Sequence, residues 1–232
     1  MANFKDYLSA FVYLLFPDSC LACSGVIEQG EEFICSICRV SFPRTDFHLY
    51  KENSLAEKFW GKTNVEYAIA YLFFKKESSV QNMLHYLKYK NTPKLGHILG
   101  NWYGQELLDN DFYKKFDVII PIPLHPKKLK KRGYNQSACF GEGLAEVWQI
   151  PHLENGIKKV TNTISQTKKS RIERYNNMKE GFVVSNPKEI KDRNILLVDD
   201  VVTTGATLEV CVNLLLESGA KTVSIATIAV AQ

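Results

Sequence analysis

The chain has 232 residues, 45% of them hydrophobic, enough for one large α/β domain or a domain carrying a small module, with a real core. The formal net charge of +4 is modest, and the basic residues are clustered rather than spread. No apolar run reaches the roughly 18 residues needed to cross a membrane, so no membrane span is expected.

The first stretch places Phe4, Tyr7, Leu8, Phe11, Val12 and Leu15 at helical spacing ahead of Pro17. It carries Lys5 beside Asp6 and lacks a small-residue cleavage site after its apolar part. The expectation is an amphipathic helix docked on the protein, not a signal peptide, and a cytoplasmic location. A helix lying on a membrane surface is disfavoured because the polar face has no basic cluster.

Four of the six cysteines follow as Cys20-x2-Cys23 and Cys35-x2-Cys38, with eleven residues between the pairs. Each pair can wrap one side of a tetrahedral ion, and Ser24-Gly25 and Gln29-Gly30 offer turn residues for the return. Cys20, Cys23, Cys35 and Cys38 are therefore read as a closed structural Zn2+ site. Two disulfides are the alternative, disfavoured in a chain without an export signal. Residues 1–48 are taken as a helix plus zinc ribbon, which metal would help to fold, and residues 49–232 as the main domain. Cys139 and Cys211 fall in helical apolar patterns and are expected in the core.

The link 45–64 names no element. Residues 65–76 are β-branched and aromatic and predict a strand or hairpin. A helix is expected over 78–87, N-capped by Ser78 or Ser79, and a second over 95–108, opened by Pro93. Residues 117–123, DVIIPIP, read as a buried strand whose ladder Pro121 and Pro123 end. Five of the six residues 127–132 are basic (Lys127, Lys128, Lys130, Lys131 and Arg132). A helix is expected over 135–148; its Gly141-x-Gly143 lies inside the helix and is no dinucleotide fingerprint. Residues 151–160 read as an edge strand or a hairpin around Asn155-Gly156. Residues 161–180 are polar and basic and predict a long mobile loop running into a short helix, and 182–184 resume a strand.

The most informative stretch is NILLVDDVVTTGATLEVCVNLLLE, residues 194–217. Ile195 to Val198 predict a strand buried on both faces. Asp199 and Asp200 follow, then a loop, then a helix from about Thr207. Gly205 allows close approach, Thr203, Thr204 and Thr207 offer hydroxyls, and the free N–H groups at the helix start favour a phosphate. An acidic turn before a capped helix is the plainer reading, but capping accounts for one Asp or Thr and not for the whole loop. Carboxylates want hydroxyls or a metal-bound water, so vicinal hydroxyls near a phosphate, a ribose 5-phosphate, fit the pair. With a further strand at 222–230, strands and helices alternate, predicting an α/β fold with a mainly parallel sheet and its site at the strand carboxyl ends.

The run from Val198 to Leu208 resembles the phosphoribosyl pyrophosphate (PRPP) motif of type I phosphoribosyltransferases, and implies that fold. Joined to the cysteine pairs, to Pro121-x-Pro123 with its basic run and Arg132-Gly-x-Asn135-Gln136, and to Gln166-Thr-x3-Arg171-x2-Arg174-x2-Asn177, it makes nearly the whole chain resemble the ComF family. Members are phosphoribosyltransferase-like proteins with a zinc finger, associated with bringing single-stranded DNA into transformable bacteria. The resemblance implies that Asp199 and Asp200 meet the ribose hydroxyls. Val201, Val202, Thr203, Thr204, Gly205, Ala206 and Thr207 would meet the 5-phosphate. Pro121, Ile122, Pro123 and Leu124 would form a pyrophosphate loop, Arg171 and Arg174 would close over it, and Lys88 matches a Lys-Tyr position of the family.

Two functions follow. In one, the chain binds PRPP with Mg2+, which keeps most of its waters and prefers phosphate oxygens, and handles incoming single-stranded DNA. Its basic runs, with Tyr134 and Tyr175 nearby, would then grip the strand, and a DNA-uptake helicase or other competence proteins would be partners. In the other, it is an active phosphoribosyltransferase moving ribose 5-phosphate to a nitrogenous acceptor, with Asp199, Asp200, Arg171 and Arg174 as its catalytic groups. No segment names the acceptor.

Overall fold

The computed structural model describes residues 18–109, 111–160 and 181–231. The expected amino-terminal helix, the loop 161–180, and with it Arg171, Arg174 and Tyr175, lie outside them. The expected α/β architecture is present. Four strands, β1 (Ala68–Phe74), β2 (Val118–Pro121), β5 (Asn194–Val202) and β6 (Thr222–Ala231), form one sheet in the order β1-β6-β5-β2. Every pairing in it is parallel. Ile195 to Val198 are fully buried at its centre, as a continuous apolar run in a parallel sheet requires. Strands β3 (Ile157–Lys159) and β4 (Phe182–Val184) make a separate antiparallel ribbon.

Six helices accompany the strands among the described residues: α1 (Ser36–Ser41), α2 (Ser79–Tyr89), α3 (Pro93–Glu106), α4 (Pro126–Arg132), α5 (Gln136–Trp148) and α6 (Ala206–Glu217). Their starts follow from the sequence. The Ser78 side chain accepts from Gln81 N–H, Pro93 opens α3, and Asn135 caps α5 by accepting from Ser137 N–H. Helices α3 and α5 pack backbone to backbone: a Cβ on Gly100 would lie 2.1 Å from Phe140 O, and one on Gly143 2.1 Å from His97 O.

The four-cysteine segment buries Ala22, Ile27 and Ile34 in the hydrophobic cluster that also contains the sheet. Asn82 on α2 donates to Ala22 O at 3.0 Å. The chain then runs along the free edge of β1, with Phe73 N–H donating to Pro43 O and Thr45 N–H to Tyr71 O. The unassigned link 45–64 contains two short 3-10 turns, Phe47–Leu49 and Ala56–Phe59.

Several local expectations are corrected. Strand β5 does not stop at Val198: Asp199, Val201 and Val202 pair with Thr227, Ala229 and Val230, because β6 is long enough to carry the ladder through the acidic pair. Pro121 lies within β2, paired with Val198, and Ile122 N–H still donates to Val198 O at 2.8 Å. Strand β2 is at the sheet's edge, where a proline's missing donor is tolerated. Of the two expectations for 151–160, a strand forms at Ile157–Lys159, but it pairs with the distant β4 and not across Asn155-Gly156. The basic run 127–132, assigned no element, is helical: His125 caps it by accepting from Lys127 N–H, and Gly133 ends it at φ 85°. Cys211 is buried as expected, whereas Cys139 is only partly so.

Candidate functional site

Two constellations stand out. In the first, the sulfurs of Cys20, Cys23, Cys35 and Cys38 lie within 4.8 Å of one another. All four cysteines are free, and Cys23 and Cys35 have sulfurs 3.8 Å apart, far beyond a disulfide bond. A tetrahedron with 2.3 Å metal–sulfur bonds has edges of about 3.8 Å. Backbone N–H groups already face the sulfurs: Cys35 N–H donates to Cys20 Sγ at 3.3 Å, Cys38 N–H to Cys35 Sγ at 3.4 Å, and Gly25 N–H to Cys23 Sγ at 3.4 Å. Burial raises the Cys20 thiol, but the N–H groups of Cys35, Cys23 and Ala22 outweigh it and bring the group down to about 7. Burial and the neighbouring sulfurs push Cys38 well up. The geometry and donor set suit a four-coordinate soft cation.

The second is built where β5 and β2 end. The Ser137 hydroxyl, at the start of α5, donates to Asp199 Oδ1 at 2.9 Å, and Asp200 N–H donates to the same oxygen at 2.8 Å. Lys88, in the last turn of α2, places its ammonium 3.0 Å from Asp200 Oδ2. Burial and then the adjacent Asp200 charge push the Asp199 carboxyl up to about 7, against the pull of its two hydrogen bonds and Lys88. Asn135 Nδ2 donates to Ile122 O at 2.9 Å, fixing the segment after β2 beside the acidic pair.

Past Val202 the free loop is short. Val201 and Val202 are still in the strand, with Val202 buried, while Thr203 and Thr204 are exposed. Gly205 begins α6 at φ 78°, and a Cβ there would lie 3.0 Å from the Phe59 ring. Both the left-handed backbone and the lack of space call for glycine. The Thr204 hydroxyl accepts from Ala206 N–H at 3.5 Å. The first turn of α6, with Thr207, presents N–H groups that have no partner within the helix.

Beside Lys88 lies a cleft of about 280 Å³, lined by Lys88, Tyr89, Asn91, Lys128, Lys131 and Arg132. The Arg132 guanidinium sits 5.6 Å from the centre of the Tyr89 ring, and Tyr89 is 66% exposed. Four basic residues from α2 and α4 thus converge next to the acidic pair. Lys127 and Lys130 are exposed but do not line the cleft. Tyr134 is not a free stacking ring: its hydroxyl donates to Leu87 O and accepts from Thr92 N–H, tying the end of α2 to the chain after α4.

The structure therefore gathers Lys88, Asp199, Asp200, Ile122 and the loop 203–205 at one sheet edge. Sequence reasoning missed Ser137, Tyr89 and Phe59. Ser137 follows directly on Asn135-Gln136 at a helix start, a position whose hydroxyl can face an adjacent strand end. Tyr89 was hidden because helical spacing does not say which aromatic stays unburied. Phe59 lies in a link without periodicity.

The model of the phosphoribosyl transferase domain family matches residues 145–231, which run from the end of α5 through β6. The chain is 29% identical over 220 residues to Competence protein ComFC of Streptococcus pneumoniae, covering 93% of this chain and 90% of that protein. It is 26% identical over 230 residues to DNA utilization protein YhgH of Escherichia coli O157:H7, covering 91% and 96%. Competence protein F of Haemophilus influenzae is 36% identical over 110 residues, 47% of this chain, so the match spans about half of that protein's length (48%).

Proposed function

We propose that the chain is a ComF-family, phosphoribosyltransferase-like protein, as its similarity to competence and DNA utilization proteins and its phosphoribosyl transferase domain match support, and that it binds PRPP with Mg2+ and handles incoming single-stranded DNA during DNA uptake. The observation that supports this most is the joining of the Lys88–Asp200 pair to the basic, tyrosine-bearing cleft. One surface offers carboxylates for sugar hydroxyls, N–H groups for a phosphate, and four cations with an aromatic ring for further phosphates and a base.

On this reading Asp199 and Asp200 accept from the ribose hydroxyls, and Ser137 holds Asp199 in place for that contact. The N–H groups of Thr203 to Thr207 take the 5-phosphate, and the Pro121–Leu124 segment, fixed by Asn135, lines the pyrophosphate side. Mg2+ would supply charge neutralisation on the phosphate oxygens. Lys88 exchanges its bond to Asp200 for one to phosphate. Arg171 and Arg174 are assigned to closing over the ligand. Zn2+ held by Cys20, Cys23, Cys35 and Cys38 makes residues 18–48 a structural module of the domain that follows, and reduced thiolate ligands suit a cytoplasmic protein. Among the described residues no helix is long and apolar enough to cross a membrane.

Lys128, Lys131 and Arg132 grip the DNA backbone, with Tyr89 as the stacking ring. The test is the salt dependence of single-stranded DNA affinity for the full chain and for Lys128→Ala/Lys131→Ala/Arg132→Ala. Removing three phosphate contacts should flatten the log–log slope by about 2. An unchanged slope would reject this surface.

A further inference from the structure

We propose that Asp46, His48 and Glu106 form a second metal site, for a borderline divalent cation such as Mn2+ or Zn2+, pinning the segment that follows the four-cysteine unit to the end of α3. One ligand atom from each of the three residues lies within 4.8 Å of the others. They come from separate places: Asp46 heads the 3-10 turn Phe47–Leu49, His48 is inside it, and Glu106 is the last residue of α3. Asp46 stands at φ 55° and does not cap the turn with its side chain, and among the described residues its carboxylate has no hydrogen bond or ion pair. One imidazole and two carboxylates are a mixed nitrogen and oxygen set suited to such ions.

The second observation is a concentration of unmet polar groups. Five buried side-chain nitrogen or oxygen atoms lack a hydrogen-bond partner among the described residues, and three belong to this neighbourhood: Nδ1 of the ligand His48, Nη1 of Arg44, which pairs with Glu106, and Oη of Tyr103, whose ring packs on Tyr71 beneath Arg44. Tyr103 is 1% exposed. Its ring lies 4.8 Å from that of Tyr71, over which the Arg44 guanidinium sits at 4.5 Å, and burial first, then Glu106, Tyr71 and Asp46, push its phenol up. Arg44 Nε holds Glu106 Oε2 at 3.0 Å, leaving Glu106 Oε1 for another partner. Buried donors left unpaired cost about 1–3 kcal/mol each. An ion on the three ligands would keep bound waters, each with a lone pair left to accept from a donor such as Tyr103 or Arg44.

The site is independent of the thiols and of the acidic pair, and its test separates the three. Full-length protein, its four thiols filled with one equivalent of Zn2+, is titrated with Mn2+ alone and free Mn2+ is followed by electron paramagnetic resonance. One equivalent should bind. Affinity should fall at least about tenfold in Asp46→Asn and in His48→Gln, and hold in Asp199→Asn/Asp200→Asn. Asparagine tolerates the left-handed backbone at 46, so Asp46→Asn leaves the fold in place even if His48→Gln does not. No uptake by the parent protein, uptake indifferent to Asp46→Asn, or uptake lost only in Asp199→Asn/Asp200→Asn would overturn the proposal.

Discussion

The ammonium of Lys88 lies 3.0 Å from the Asp200 carboxylate, joining the last turn of α2 to the end of the central strand. Both partners are largely buried, at 25% and 16% side-chain exposure. Removing the cation leaves two adjacent carboxylates sharing one small region. Lys88→Met should therefore destabilise the protein by about 1–2 kcal/mol in urea unfolding. Lys88→Met/Asp200→Asn should recover much of that loss; a double variant as unstable as the sum of the singles would mean the pair is not coupled.

The Asp199 carboxyl gives a pH dependence of defined sign. In the unfolded chain it titrates near its ordinary 3.8, and in the fold near 7. Between those values the folded protein holds a proton that the unfolded chain has released, so this group's contribution to stability falls as pH rises from about 4 to 7 and is level above. Urea midpoints between pH 5 and 8 should show the decline, and Asp199→Asn should remove it. Ser137→Ala, which deletes a donor to the ionised form, should extend the decline to higher pH.

Helices α3 and α5 meet through glycines. Because a Cβ on Gly143 would sit 2.1 Å from a backbone carbonyl oxygen, Gly143→Ala should force the helices apart and cost about 2–3 kcal/mol. At Gly104 the nearest atoms to the same Cβ would be those of the Val147 side chain, from 3.1 Å, so Gly104→Ala should cost clearly less. Equal unfolding midpoints for the two variants would contradict the packing described.

Metal removal should separate the cysteine unit from the rest. A chelator combined with a thiol-reactive mercurial should release one equivalent of zinc per chain and lower the melting temperature. Cys38→Ala should purify with less than one equivalent. A fully stable, metal-free protein would show that the four sulfurs only pack.

Much of this was legible in the sequence because the local signals agree with the global fold. The apolar run 195–198, the acidic pair and the glycine at 205 specify strand, candidate site and helix start within a dozen residues. Ser78, Pro93 and Asn135 announce the helices that they start. What was misread depends on partners distant in sequence. Whether β5 ends at Val198 or at Val202 is decided by the length of β6. Whether 157–159 pairs across Asn155-Gly156 or with 182–184 is a tertiary choice. The reach of Lys88 to Asp200 and of Ser137 to Asp199 is likewise set by how helices lie on the sheet, which no periodicity encodes. Nor does it encode why Tyr134 is tied down while Tyr89 is left exposed.

On the proposed reading the acidic pair and the loop after it bind PRPP. Calorimetric titration of PRPP with Mg2+ into the zinc-loaded full chain tests it most directly, run beside Asp200→Asn. A saturable single site is expected in the parent protein and its loss in the variant, with the unfolding midpoint of the variant confirming an intact fold. Undiminished binding by Asp200→Asn, or no binding by the parent protein, would contradict it.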